Sequence, residues 1–401
     1  TAGTGTTSDG KPYSGDTVSI TGTPVGTYND AHVVNATTVT FSGLSLTGAQ
    51  ASNYSLTIQS PASATITAAT ITPTITNTGV TKVYDGTTAS SITPTYTIAG
   101  LISGDTITLS NTSIAYNDPN VSLASRVTVS GLSISAVTAT THSSATTDYV
   151  LDASSHYVNA GISRATVTLV ATKVYDGTSN LTSVTIGGLV GSQTLTYTGA
   201  TANNAHVATA SKYINAITLA DGTNGGLASN YQLPTLNATN APVTITAATL
   251  TPTITNTGVT KVYDGTTASS ITPTYSFTGL VSGDTAATLT NTGIAYNFKD
   301  VATGNIVTVS GLSISSITGT NGSVAGDYVL SPTTLTVAAS ITPKALTESG
   351  LSVAASRVYN GTTSTSILGS AALATTETAG SGNTSDGKPY SGDTVSITGT
   401  P

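Results

Sequence analysis

The chain has no cysteine, no methionine and no tryptophan, and only 3 phenylalanines in 401 residues. Without cysteine no disulfide can staple its domains and no thiolate chemistry is possible. The shortage of large aromatics leaves Val, Ile, Leu and Tyr to build each core. Charged residues are 7% of the chain and the net charge is -7, which excludes the basic stripe that nucleic acid requires. No apolar run approaches the roughly 18 residues of a membrane span, so no membrane insertion is expected in this segment. The lack of even an initial Met fits an internal piece of a longer protein.

Threonine fills the space left by these absences, at roughly a fifth of the residues, well above ordinary usage. Thr, Val, Ile and Tyr suit a pleated surface, and Gly, Asn and Asp supply turns. Hydrophobicity is moderate and net charge is small for the length, so disorder is not expected. The composition predicts an all-β protein.

Self-similarity organises the chain. Residues 1–24 and 378–401 are the same apart from Thr4 and Thr6, which become Ser381 and Asn383. The sequence is one turn of a 377-residue period with a short overlap. Within it runs a shorter period. Lys82-Val83-Tyr84-Asp85-Gly86-Thr87-Thr88 returns at 173–179, at 261–267 and, as RVYNGTT, at 357–363. Other pieces keep their order around this anchor. A Gly-Asp-Thr turn occurs at 15–17, 104–106, 283–285 and 392–394. An Asn-rich turn follows at 28–33, 114–121 and 294–301, then a Gly-Leu-Ser strand, then a late Tyr strand at 53–56, 148–151, 230–233 and 327–330.

Cutting after the last strand of each unit predicts β-domains at 69–164, 165–247 and 248–344. It leaves a partial domain at 1–68 that lacks its beginning and another at 345–401 that lacks its end. Residues 72–96 and 251–275 are identical, whereas 165–247 shares its Asn-Ala-His-Val and Ala-Ser-Asn-Tyr pieces with 1–68. Odd and even domain types therefore alternate. About seven alternating segments per unit, with turns every 8–12 residues, predict small Ig-like β-sandwiches, with a β-grasp-like topology as the alternative. Nearly absent linkers predict an elongated, stiff rod.

The anchor with its ordered downstream turns resembles the YDG-type repeat of very large bacterial surface proteins. Those are similar to filamentous-haemagglutinin-type adhesins exported across a Gram-negative outer membrane. The resemblance implies an extracellular stalk or adhesive array at the cell surface, and it implies no catalytic residue and no cofactor. Its anchors here are Tyr84, Asp85 and Gly86; Tyr175, Asp176 and Gly177; Tyr263, Asp264 and Gly265; and Tyr359, Asn360 and Gly361. The 165–247 unit departs from the pattern, with Gly191-Ser192-Gln193-Thr194 in place of the Gly-Asp-Thr turn.

Each anchor is expected to be a packed Tyr beside a tight turn whose Gly takes positive φ, with the Tyr hydroxyl on a backbone group. A ligand-binding turn is the competing reading. The preceding Lys82, Lys173, Lys261 and Arg357 invite comparison with isopeptide-forming lysines, but Arg357 cannot form that bond. A solvated charge guarding a strand edge is the preferred expectation. Recurrent Asp residues, among them Asp105 and Asp284, lie in no Asp-x-Asp-x-Asp-Gly loop and are expected to cap turns rather than bind calcium. His32, His142, His156 and His206 are scattered, and His32 and His206 are equivalent positions in different units, so no zinc site is expected. Nothing pairs a nucleophile with a base and an orienting group. An enzyme is therefore not expected.

The favoured function is structural: reach, stiffness and surface contact, with neighbouring repeats of the same long chain as partners. Thr-rich edge strands also permit lateral self-association into a filament or sheath. The alternative is a multivalent carbohydrate-binding array in which Tyr28, Tyr116 and Tyr296 stack on sugars.

Overall fold

A computed structural model describes residues 1–4 and 6–399. The described residues form an all-β protein whose only helical elements are four three-residue 3-10 turns. The chain divides into two compact units. The first comprises residues 1–166, 188–194 and 222–232, and the second comprises 167–187, 195–221 and 233–401. The 165–247 repeat thus contributes segments to both.

In the first unit, Ser19–Tyr28 pairs antiparallel with Thr38–Thr47, which pairs with Ala62–Ser63. The 69–164 repeat follows. Its opening strand Ala69–Ile75 lies between Tyr96–Ala99, antiparallel, and Tyr149–Leu151, parallel. Its long final strand Ser155–Ser163 pairs in parallel with Val80–Val83 and antiparallel with Arg126–Ser130, beside Ser113–Tyr116. Asp105–Ser110 and Ser133–Ala139 form a separate two-stranded ribbon. The first and last segments of the repeat are therefore locked together in parallel. A purely antiparallel Ig-like sandwich does not contain that pairing.

The second unit repeats this plan over 248–344. Ala248–Ile254 lies between Tyr275–Thr278 and Tyr328–Leu330. Val259–Val262 pairs in parallel with Leu335–Thr342, and Asp284–Thr290 forms a ribbon with Ser313–Gly319. The unit also holds Thr168–Val174 between Val184–Gly187 and Val243–Thr246, and the pair Leu195–Ala202 with Ile214–Asp221. Glu348–Val353 pairs with Ile367–Leu373.

The period-two pattern sets the faces. In Ala69–Ile75, Ile71, Pro73 and Ile75 are buried while Thr70, Thr72 and Thr74 are exposed. Ile75, Val129 and Leu132 centre one core, with Tyr96, Leu109 and Val158 around them. Val259, Tyr296, Val307 and Ile341 centre its counterpart. Each such side chain contributes about 1.5–3 kcal/mol on burial, and the small cores leave modest stability per repeat.

Candidate interaction site: the tyrosine clamp

The anchor begins as a self-braced turn. Asp85 Oδ1 accepts from Thr87 N and Thr87 Oγ1, both at 2.9 Å, and Gly86 takes φ +76°. Lys82 Nζ completes the brace, donating to Asp85 Oδ1 at 2.7 Å, Thr87 O at 2.7 Å and Ala89 O at 3.0 Å, above the Tyr116 ring. Lys173 and Lys261 repeat it on Asp176 and Asp264. Arg357 makes the same two carbonyl contacts, to Thr362 and Ser364, and Asn360 Oδ1 accepts from Thr362 N. The three lysines are therefore covered internal braces, with the Lys82 side chain only 17% exposed, whereas Arg357 is exposed. This corrects the expectation of a solvated edge charge: three short-range acceptors sit where the side chain can reach them. Burial pushes the carboxyl of Asp85 up, but the bonds from Lys82 and Thr87 outweigh it and hold the group below its ordinary range.

The braced turn presents Tyr84 outward, and the next repeat covers it. The ring is buried and meets the ring of Tyr231 edge-on at 5.4 Å. Tyr175 meets Tyr328 in the same way at 5.7 Å. Tyr263 meets Tyr390 at 5.8 Å. The hydroxyls reach side chains rather than the backbone groups expected. Tyr84 Oη accepts from Gln193 Nε2 at 2.8 Å, Tyr175 Oη lies 2.6 Å from Ser323 Oγ, and Tyr263 Oη donates to Asp393 at 2.9 and 3.0 Å. The glycine is pressed onto the same surface. A Cβ on Gly86 would stand 2.9 Å from Val190 Cγ1, and one on Gly265 would stand 2.7 Å from Ala379 Cβ. Tyr359 is 92% exposed, and a Cβ on Gly361 would meet nothing within 4 Å.

The receiving surface is built from the other recurrent pieces. The late Tyr hydroxyl donates to the turn residue and accepts a backbone N–H three residues before it. Tyr149 does so with Asp105 Oδ2 at 2.5 Å and Ile102 N at 3.2 Å. Tyr328 uses Asp284 at 2.5 Å and Val281 N at 3.0 Å, and Tyr54 uses Asp16 at 2.6 Å and Tyr13 N at 2.9 Å. In the 165–247 repeat Gln193 Oε1 replaces the carboxylate, at 2.5 Å from Tyr231 Oη, with Val190 N at 3.0 Å. The departure from Gly-Asp-Thr is thus functional: one amide serves both tyrosines of the contact. Burial, then Asp284, raises the Tyr328 phenol; burial, then Asp105, raises that of Tyr149. Both remain protonated donors at neutral pH.

A second contact joins the Asn-rich turn of one repeat to the 3-10 turn before the late Tyr of the next. His32 Nδ1 is 2.7 Å from Asp148 Oδ2, and Val33 N donates to Asp148 Oδ1 at 2.8 Å. His206 and Val207 hold Asp327 in the same way, each at 2.8 Å. Between 69–164 and 165–247 the pair is Asn120 and Asn230: Val121 N donates to Asn230 Oδ1 at 2.9 Å, and Asn230 Nδ2 to Asn120 Oδ1 at 2.8 Å. Asn230 and Asp327 are fully buried. The composition of these pairs follows the odd–even alternation of the sequence. These counter-residues had escaped the sequence reading, which treated the Asn-rich turn, the late Tyr strand and the histidines separately. Their common period with the anchor is the signal that links them.

The remaining candidates place themselves plainly. Tyr116 and Tyr296 are each only 4% exposed, so neither offers a ring face for a sugar, while Tyr28 is half exposed. Among the described residues no group of three or more His, Cys, Asp or Glu could hold a metal, and no helix is long and apolar enough to cross a membrane.

No curated protein and no solved structure is similar enough to match the chain. A family model described as the YDG domain matches residues 1–64, 67–156 and 246–335, leaving the Gln193-bearing repeat outside the matched ranges. These three matches take in more than half of the sequence, with the anchors of Tyr84 and Tyr263 and the late Tyr149 and Tyr328 among them: the chain belongs to the YDG domain family.

Proposed function

We propose that the chain is the structural repeat region of a long extracellular bacterial adhesin or fibre, giving reach, stiffness and surface contact. In this reading the β-domains form a tandem array, with boundaries near 68, 164, 247 and 344. The anchors named above are the parts that join them. The supporting observation is that the anchor Tyr of one repeat meets the late Tyr of the next edge-on at two successive repeats, Tyr84 with Tyr231 and Tyr175 with Tyr328, with a different side chain meeting the anchor hydroxyl each time. A residue set kept for contact between neighbours suits a load-bearing array, because each repeat then depends on the next. The chemistry of the set is that of packing and hydrogen bonding, with no nucleophile or open acid–base pair in it.

Two measurements test the reading. Antibodies against the 401-residue chain, applied to intact cells of the source organism, should label the outer surface without lysis. Small-angle scattering of the chain should give a maximum dimension well beyond that of a compact sphere of 39.7 kDa. Labelling only after lysis, or a compact particle, overturns the proposal.

A further inference from the structure

One lysine sits where the other repeats have alanine. Lys344 aligns with Ala69, Ala165 and Ala248, and its side chain is only 3% exposed. An isolated ammonium at such a place would be costly. Two carboxylates meet it: Lys344 Nζ donates to Glu377 Oε1 and lies 3.0 Å from Asp386 Oδ1. The Glu377 carboxyl is also within hydrogen-bond reach of Asp386. The backbone sets this convergence, since Thr347 N donates to Gly387 O at 3.0 Å and Glu377 N to Pro389 O at 2.9 Å. Gly382 leaves room for Glu377, because a Cβ there would stand 1.8 Å from Oε2. The buried Tyr390 ring closes the site, its centroid 4.0 Å from Nζ. One ammonium neutralises one carboxylate, and the second acid is left over for a different task.

We propose that Lys344 and Asp386 condense into an intramolecular amide, with Glu377 as the proton relay. Lys344 Nζ attacks Asp386 Cγ; the Nζ–Cγ bond forms, a Cγ–Oδ bond breaks, and the oxygen leaves as water. Of the three ammonium protons, one stays on the amide nitrogen and two depart with that oxygen, passed on by Glu377, which ends as it began. No other reactant is consumed. Lys388 N donates to Asp386 Oδ1 at 3.1 Å and so holds an oxygen on which charge develops during attack. Burial pushes the Lys344 ammonium down, but its bonds to Glu377 and Asp386 outweigh this and hold it above its ordinary range. The resting trio is therefore ionic, and the reaction begins when a proton passes to a carboxylate. Contact supplies the drive: groups held in reacting geometry behave as if at about 10⁵ M or more, and the product removes a buried charge pair. The bond encloses the hairpin of Glu348–Val353 and Ile367–Leu373 in a covalent loop, within a chain that has no cysteine. The anchor lysines lack this arrangement: Lys82 has one carboxylate beside it, and its other partners are Thr87 and Ala89. The proposal does not depend on where the protein resides.

The test is intact-mass spectrometry of the 401-residue chain, folded at neutral pH and then denatured. The mass should fall short of that of the sequence by one water molecule. Trypsin should no longer cut after Lys344, and fragmentation should find residue 344 joined to residue 386. Lys344→Arg should restore the full mass. Asp386-Gly387 can also lose water, by closing an imide within the backbone, so a loss that survives Lys344→Arg overturns the proposal. Glu377→Gln should keep the fold, read as unchanged amide protection at Thr347 N, and should form the bond about 100-fold more slowly or worse. A folded parent at full mass overturns the proposal, and so does Glu377→Gln joining as fast as the parent.

Discussion

At the residue scale, the anchor glycine carries two constraints that can be separated. Gly86 needs positive φ and has Val190 against it, whereas Gly361 needs positive φ with open space around it. Gly361→Ala should therefore cost only the backbone term, about 1 kcal/mol. Gly86→Ala should cost more, about 2–3 kcal/mol, because a Cβ at 2.9 Å forces Val190 to move. Chemical denaturation of each variant against the parent reports the difference, with exchange at Val190 N, whose partner is Tyr231 Oη, quickening only in Gly86→Ala; equal losses of stability would refute it. Tyr84→Phe removes one bond and strands Gln193 Nε2, at a cost of about 1–2 kcal/mol. Tyr84→Ala empties the socket, at about 3–5 kcal/mol. The sequence displayed this residue level well. Tyr-Asp-Gly announced a packed ring and a left-handed glycine, because turn chemistry is local. It did not disclose where the hydroxyl goes, because Gln193 is 109 residues away from Tyr84.

At the element scale, the Asn-rich turn and the late Tyr turn meet through an ionisable pair, so their contact depends on pH. The hydrogen bond to Asp148 raises the His32 imidazole above its ordinary 6.5, with further help from the Asp148 and Asp30 charges. Burial pushes the Asp148 carboxyl up, but the bonds from His32, Ala145 N and Val33 N outweigh it and hold the group below 3.8. A raised histidine contributes fully below its unfolded value and loses its contribution as pH rises through its folded value. A lowered carboxyl contributes above its unfolded value and loses its contribution as pH falls through its folded value. The contact is thus strongest between roughly pH 4 and 6.5. Exchange at Val33 N, corrected for intrinsic rate, should be slowest in that window and quicken above it. His32→Gln should flatten the alkaline limb while leaving the acid limb in place. Strand positions were legible here, since Ile71 and Ile75 face inward as their alternation requires. The parallel pairing of Val80–Val83 with Ser155–Ser163 was not. Period-two alternation fixes which face of a strand is buried and says nothing of which strand lies beside it.

At the scale of the whole molecule, the alternation of repeat types acquires a physical meaning. A histidine from 1–68 or 165–247 meets an aspartate of the following repeat, and Asn120 of 69–164 meets Asn230. The position equivalent to Asn120 is Asp300 in 248–344, a residue compatible with an amide partner and incompatible with a carboxylate. If these pairs select their partners, they decide which repeat type can contact which, much as buried polar pairs fix register in other assemblies. His206→Asp would install the 248–344 residue opposite fully buried Asp327, setting two carboxylates where a histidine–carboxylate hydrogen bond stood. Two such groups cannot both ionise cheaply, and the mismatch should cost about 3–5 kcal/mol at pH 7. It should show as fast exchange at Val207 N and as new protease cleavage near 204–209. Lowering the pH should rescue this variant, since one shared proton removes the repulsion. His206→Asn, which copies Asn120, should keep protection at Val207 N within a few-fold of the parent, because an amide can still donate to Asp327. If both variants open the contact equally, the pair acts through shape alone and does not encode order. If only the aspartate does, charge at a single position decides which repeat can follow which.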